Sequence, residues 1–193
     1  METKQLKSAR EQIIQTASDL MENQGYHATG MNEIVAKSGA PKGSIYYYFP
    51  EGKDAIAGEA VGIAGKALAG RIRENLAQEA DLAGSIQSFL EGIAHYVEIS
   101  GFTSGGPLAI VASETATTNE NLNLVCRGAY AEMIVAFEEK FLASGCSPER
   151  ASSLAWMATS TIEGAIILSR TFHSGDPLRR AGSELARLVR SPG

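Results

Sequence analysis

Four aromatic side chains in a row, Tyr46, Tyr47, Tyr48 and Phe49, follow Lys42, Gly43 and Ser44. Side chains of these types, set this close together, suit the gripping of a nucleic-acid duplex. Lysine and hydroxyl groups meet phosphate oxygens, and flat rings pack against sugars and thymine methyls. A glycine among them lets the backbone come close. Three tyrosines in succession are unusual on a water-facing helix, which strengthens this reading. For Tyr46 and Tyr48 taken singly an alternative stays open, that the ring packs between the first and fourth helices.

Other chemistries find no set of residues to carry them. There is no Gly-x-Ser-x-Gly, no His-Glu-x-x-His and no phosphate loop ending in Gly-Lys-Ser/Thr, so a small all-helical enzyme is the rival reading rather than the leading one. Cys126 and Cys146 stand apart, and His27, His95 and His173 are scattered, so neither a disulfide framework nor a metal site is expected. No cofactor is implied.

The tyrosines need elements to aim them. Ile45 and Phe49 are one helical turn apart and face a core with Ile34, which turns Lys42, Gly43, Ser44, Tyr46 and Tyr47 outward or to the flank. The preceding helix spans about 31–38. Gly39-Ala40-Pro41 breaks the chain between the two, since proline disfavours α geometry before it and suits the first turn after it. Two short helices across a glycine turn make a helix-turn-helix, whose second helix can enter a major groove. Ahead of them Leu6, Arg10, Ile13, Ala17 and Leu20 form a helical stripe that Gly25 ends.

Helical periodicity continues to the C-terminus, with almost no strand signal. Helices are expected over about 51–75, 81–100, 107–112 and 119–144. Ser147-Pro148-Glu149 and Asp176-Pro177 each open another with a cap-then-proline pattern. The fold class is all-α with about nine helices: a three-helix domain with the helix-turn-helix over 1–53 and a larger helical body over 54–193.

Composition is that of an ordinary globular protein, 44% hydrophobic and 20% charged. No apolar run approaches the roughly 20 residues that span a bilayer, and the first 20 residues lack a signal-like apolar centre, so a cytoplasmic protein with no membrane partner is expected. The net charge of −5 is unevenly placed. Residues 1–53 hold six basic and six acidic side chains, whereas 54–193 hold eleven and sixteen. A neutral module with its cations on one face can still bind phosphate through its local field.

Residues 41–49 resemble the signature of the TetR/AcrR family, in which a small turn residue, a variable residue, glycine, serine or threonine, an aliphatic residue and tyrosine lead through two variable positions to phenylalanine. The family's lysine at the start of the fourth helix is matched by Lys53, where it can reach a phosphate beside that helix's amides. Residues 49–53, 104–114 and 161–170 resemble a branch that includes efflux-pump regulators of the lincomycin-resistance (LmrA/YxaF-like) type, so the likeness covers nearly the whole chain. Two departures mark it. Gly30 stands where threonine or serine commonly caps the second helix, which leaves Thr29 as the phosphate contact, and one extra residue precedes Lys53.

The resemblance implies base or phosphate contacts from Lys42, Ser44 and Tyr47, backbone clamping by Tyr46, Tyr48 and Lys53, and close approach at Gly43. Lys4 and Lys7 would add nonspecific contacts or serve only as a solvated face. Double-stranded DNA carrying a pseudo-palindromic operator is the implied partner. The last two helices offer a small-residue stripe, Ala151, Ala155, Ala158, Ile162 and Ala165, with larger knobs at Leu178, Leu185 and Leu188. Pairing them with a second copy would give a four-helix bundle and a homodimer; a monomeric core hairpin is the other use of such faces.

By the same likeness the body encloses a small-molecule effector site, for which Phe89, His95, Tyr96, Phe102, Tyr130, Met133, Trp156 and Met157 are candidates, each equally able to be ordinary core. The function implied is a repressor that controls a nearby efflux or detoxification gene and is released by a small, largely apolar effector. A DNA-binding dimer without a ligand remains the other reading within this class.

Overall fold

A computed structural model describes residues 8–76 and 81–190, and among these every regular element is a helix. In chain order they are α1 (Ala9–Gln24), α2 (Met31–Ser38), α3 (Lys42–Tyr48), α4 (Lys53–Asn75), α5 (Leu82–Ile99), α6 (Pro107–Thr115), α7 (Glu120–Ala143), α8 (Pro148–Phe172) and α9 (Asp176–Arg190). The nine expected helices are all present, with ends within a few residues of the periodic pattern. Leu6, Lys4 and Lys7 lie outside the described residues.

The helix ends follow from local chemistry. Ser8 caps α1 in a capping box, its hydroxyl accepting from the Glu11 amide while the Glu11 carboxylate accepts from the Ser8 amide at 2.8 Å. Gly39 ends α2 with φ of 66°, a left-handed turn that glycine adopts without steric cost. Asp81 accepts from the amides of Ala83 and Gly84, and Ser147 accepts from Arg150, with Pro148 in the first turn of α8.

The chain packs as two compact units. The first holds 1–64 and 106–127, the second 65–105 and 128–193. Packing therefore adds the start of α4, all of α6 and the start of α7 to the N-terminal helices, where the sequence suggests a division after residue 53. Asp54 is one reason, since it accepts from Tyr26 of the α1–α2 turn and from Asn119 ahead of α7. Both α4 and α7 run without a break from one unit into the other.

In the first unit Ile13, Ala17 and Met21 of α1, Ile34 of α2, Ile45 of α3 and Phe49 are buried with Ile56 of α4. Glu114 of α6 holds the α1–α2 turn, accepting from the His27 amide at 2.8 Å. Gly25 is required beside it: its φ is 90°, and a Cβ there would run into the Glu114 carboxylate.

In the second unit α5 packs along α9 and α8. Ala94, Val97, Ala165 and Leu178 form a core cluster against which Ile93, Phe102, Ile166 and Ala181 pack. Phe137 stacks on Phe141 and meets Phe89 edge to face. Arg179 fastens α9 to α5 through bonds of 2.8–3.1 Å to Glu91 and Glu98. These carboxylates hold the guanidinium's proton more firmly than usual, Glu98 first and then Glu91.

Candidate nucleic-acid interface and helical body

Two residues of the recognition segment belong to the core. Ile45 is fully buried and Phe49 nearly so, one turn apart and beside Ile34. They orient α3 so that Lys42, Gly43, Tyr46, Tyr47 and Tyr48 are exposed and Ser44 is half-buried. Tyr47 is 80% exposed, the barest ring on α3, and meets Tyr48 edge to face at 5.1 Å. Tyr46 is 55% exposed and Tyr48 40%, so each keeps a solvent-facing share. A Cβ built at Gly43 meets nothing within 4 Å, so no neighbour in the fold demands a glycine there.

Thr29 is a correction. It is fully buried, and its hydroxyl donates to the Gly25 carbonyl at 2.7 Å, so it closes the α1–α2 turn and offers nothing to a phosphate. Gly30, the residue that caps α2, supplies no side-chain bond. Lys53 opens α4 as expected, but its ammonium is already engaged. It donates to the Tyr26 carbonyl at 2.9 Å and sits 4.1 Å from the centre of the Tyr26 ring.

Tyr26 was missed by sequence reasoning, and it is the hub of this corner. Its hydroxyl donates to Asp54, whose other oxygen accepts from the Asn119 side chain at 2.6 Å. Asn119 in turn accepts from the Leu122 amide in the first turn of α7. Burial first, then the bond and the charge of Asp54, push the Tyr26 hydroxyl pKa far above its ordinary value. The contacts join positions 28 and 65 residues apart, which no local pattern reveals.

The body candidates divide by helix phase. Phe89 and Met133 are buried, and Tyr130 and Phe102 are half-buried. His95 and Tyr96 are exposed on α5, because Phe89, Leu90, Ala94 and Val97 turn the other face inward. Trp156 and Met157 are exposed on α8, where Leu154, Ala155 and Ala158 take the inner face. The eight therefore do not line one site. Phe102 and His173, the non-glycine residues with positive φ among those described, stack in parallel with ring centres 5.3 Å apart.

The expected dimer stripe also needs correcting. Ala151, Ala155, Ala158, Ile162, Ala165, Leu178 and Leu185 are buried within the protomer, so their side chains are unavailable to a second chain. Of that set Leu188 alone is exposed. The outer face of α8 instead carries Trp156, Met157, Ile167, Leu168 and Phe172, with Trp156 at 60% and Phe172 at 69% exposure. Apolar on both sides, α8 is, among the described residues, the one helix long and apolar enough by composition to cross a membrane, where the sequence pattern suggests none.

Glu163 is the second residue that sequence reasoning missed. From Ala151 to Ser169 it is the sole charged side chain, which is the signal that could have found it. Burial raises its carboxyl pKa to about 7, and a hydrogen bond from Tyr130 pulls weakly the other way. Its Oε2 and the Thr159 hydroxyl are buried without a hydrogen-bond partner among the described residues. Cys126 is buried and Cys146 half-buried, both free, and the described residues hold no cluster of three metal-ligating side chains. A groove of about 930 Å³ opens beside Asp81, Cys146, Arg150 and Leu188, and none of the expected effector residues lines it.

Residues 13–60 match the family model for bacterial regulatory proteins of the tetR family. Residues 83–184 match that for the C-terminal domain of LmrA/YxaF-like transcriptional regulators. The chain is 39% identical over 185 residues to the uncharacterised HTH-type transcriptional regulator YxaF of Bacillus subtilis (strain 168), covering 96% of this chain and 97% of that one. It is 36% identical over 182 residues to the HTH-type transcriptional regulator LmrA of the same strain, covering 94% and 97%. Its fold is shared with a TetR transcriptional regulator from Legionella pneumophila at a TM-score of 0.83 and 18% identity, covering 95% of this chain and 98% of that one.

Proposed function

The chain belongs to the TetR family of DNA-binding transcriptional regulators, in its LmrA/YxaF-like branch, and from that premise we propose a homodimeric repressor released from its operator by a small, largely apolar effector. The observation that carries the reading is on α3. Two core residues fix the helix, leaving five exposed positions and the half-buried Ser44 with side chains that grip a duplex. Lys42, Ser44 and Tyr47 contact bases or adjacent phosphates. Tyr46 and Tyr48 hold the backbone, and Gly43 admits it closely.

Lys53 joins these contacts by exchanging the Tyr26 carbonyl for a phosphate oxygen. The phosphate's full charge favours the exchange over a neutral carbonyl. The outer face of α8 supports dimerisation, because a helix apolar all round is stable in water only when both sides are covered. A second copy supplies that cover and places two α3 helices on a pseudo-palindromic site.

Repression and release form a two-state equilibrium. An effector held in the second unit shifts it only by preferring the weakly DNA-binding state. Continuity of α4 and α7 through both units supports such coupling. A coupling of about 1–3 kcal/mol weakens operator binding roughly 5–150-fold. Control of a neighbouring efflux or detoxification gene, in the cytoplasm, completes the reading and rests on the branch resemblance.

Titration of the protein against duplex from its own upstream region, beside a scrambled duplex at several salt concentrations, tests this. Saturable, sequence-selective binding with a steep salt slope is expected. Equal, weak binding of both duplexes would remove the basis for the repressor.

A further inference from the structure

On α8 the half-buried Glu163 carboxylate has one oxygen, Oε2, buried without a hydrogen-bond partner among the described residues. Glu163 lies one helical turn from Thr159, which places their side chains on the same side of the helix. From α7, Tyr130 donates a hydrogen bond to the Glu163 carboxylate. The carboxylate's Oε2 and the Thr159 hydroxyl nevertheless remain buried and unpartnered. Buried polar groups left this way are uncommon in a finished fold, and a buried carboxylate ordinarily has a cation beside it.

The nearest candidate on the helix does not serve. Arg170, two turns along α8, is turned to the loop after α5, where its Nε donates to the Phe102 carbonyl at 3.3 Å. The groups that act on Glu163 are burial and Tyr130, with no arginine or lysine among them. Apolar positions adjoin in sequence: Ile162 beside Glu163 and Ile166 one turn along α8, and buried Met133 one turn from Tyr130 on α7.

We propose that Glu163, flanked by Tyr130 and Thr159, anchors an effector of a particular chemical class: a protonated amine on an apolar, aromatic or aliphatic body. The ammonium N–H donates to Oε2 and supplies the missing countercharge, and the Thr159 hydroxyl accepts or donates a second bond. A neutral alcohol of the same shape brings the hydrogen bond without the charge and binds less well. An empty site keeps its carboxyl partly protonated at neutral pH, so the amine must displace that proton.

The inference deepens the effector-released reading and rests on it. Its test is nevertheless separate, because it measures ligand binding to DNA-free protein. Calorimetric titration of the whole protein with 4-phenylbutylamine and with 4-phenylbutanol, at pH 6 and pH 8, is the experiment. The amine is expected to bind at least tenfold more tightly than the alcohol at pH 8. Its affinity should fall about tenfold at pH 6, because a carboxyl with a pKa of about 7 goes from mostly ionised to mostly protonated.

Glu163→Gln should abolish both the preference for amine and the pH dependence, while still binding the alcohol. Tyr130→Phe should keep the preference and shift the pH midpoint upward. Equal binding of amine and alcohol, an unchanged Glu163→Gln variant, or no binding of either probe would overturn the proposal. If the amine binds as expected and operator affinity does not change, the site stands and release by an effector is what fails.

Discussion

The Lys53 ammonium lies over the Tyr26 ring, 4.1 Å from its centre, and donates to the carbonyl of the same residue at 2.9 Å. In the proposed operator complex the lysine at the head of α4 exchanges this partner in the α1–α2 turn for a phosphate. Lys53→Met should cost about 1 kcal/mol of folding stability in urea, the worth of a hydrogen bond and a cation–π contact at a half-exposed site. It should also reduce the slope of log affinity against log salt by about 0.9, the contribution of one phosphate contact. A stability loss with an unchanged slope would mean that the lysine never leaves Tyr26.

On the outward face of α3, substitutions are expected to affect binding and folding separately. Tyr47→Ala and Gly43→Ala should weaken operator binding roughly tenfold or more, and their urea midpoints should stay close to wild type. Tyr47 is largely solvated, and the added methyl at Gly43 enters open space. Fluorescence anisotropy against operator duplex, paired with urea melts, measures both. Loss of stability in step with affinity would show that α3 is disturbed rather than disarmed.

Thr29 predicts the opposite pattern. Thr29→Val removes the hydroxyl bonded to the Gly25 carbonyl and leaves a buried acceptor without its partner, at a cost of roughly 1–3 kcal/mol. The salt slope of DNA binding should not move. A slope reduced by a full contact would return Thr29 to the phosphate-binding set.

Two substitutions on α8, nine residues apart, should have different consequences. Ile167→Asp puts a charge on the outer face and is expected to yield a folded monomer by sedimentation, with helicity retained. Ala158→Leu forces a larger side chain into the protomer's own core and should cost about 1–3 kcal/mol. A dimer that survives Ile167→Asp would move the interface elsewhere.

Glu163 ties stability to pH with an unusual sign. Its carboxyl pKa is raised in the folded state, from 4.5 to about 7, so the folded protein holds the proton more tightly than the unfolded chain. That contribution is fully present below about pH 4.5 and is lost as pH rises through 7. Wild type should lose roughly 1–3 kcal/mol between pH 5 and pH 8 from this group, and Glu163→Gln should remove that part of the slope. Parallel pH profiles for the two proteins would place the acid in contact with water.

Much of this molecule is legible in one sequence. Ser147-Pro148, Pro41 and Gly39 punctuate the chain because their backbone preferences are local, and Ile45 with Phe49 reveals the inner face of α3 because its other positions are polar or aromatic. Reading α8 is harder for a physical reason. Apolar side chains occupy both of its faces, so periodicity cannot say which belongs to the core, and an alanine stripe buried inside the protomer reads equally well as an interface between copies. Pairings such as Lys53 with Tyr26 depend on a turn that only the fold brings near. Glu163 was visible as a lone charge in an apolar run, but its partner on α7 was not.

Anchoring α3 through Ile45 and Phe49 alone also bears on how such a protein can change over generations. The exposed positions 42, 43, 46, 47 and 48 contribute little to folding, so substitutions there are screened almost solely by which duplex they favour. After a gene duplication, one copy can wander to a new promoter through single steps that never threaten its solubility. A combinatorial library at those five codons should accordingly return mostly folded proteins, sorted by promoter preference rather than by survival.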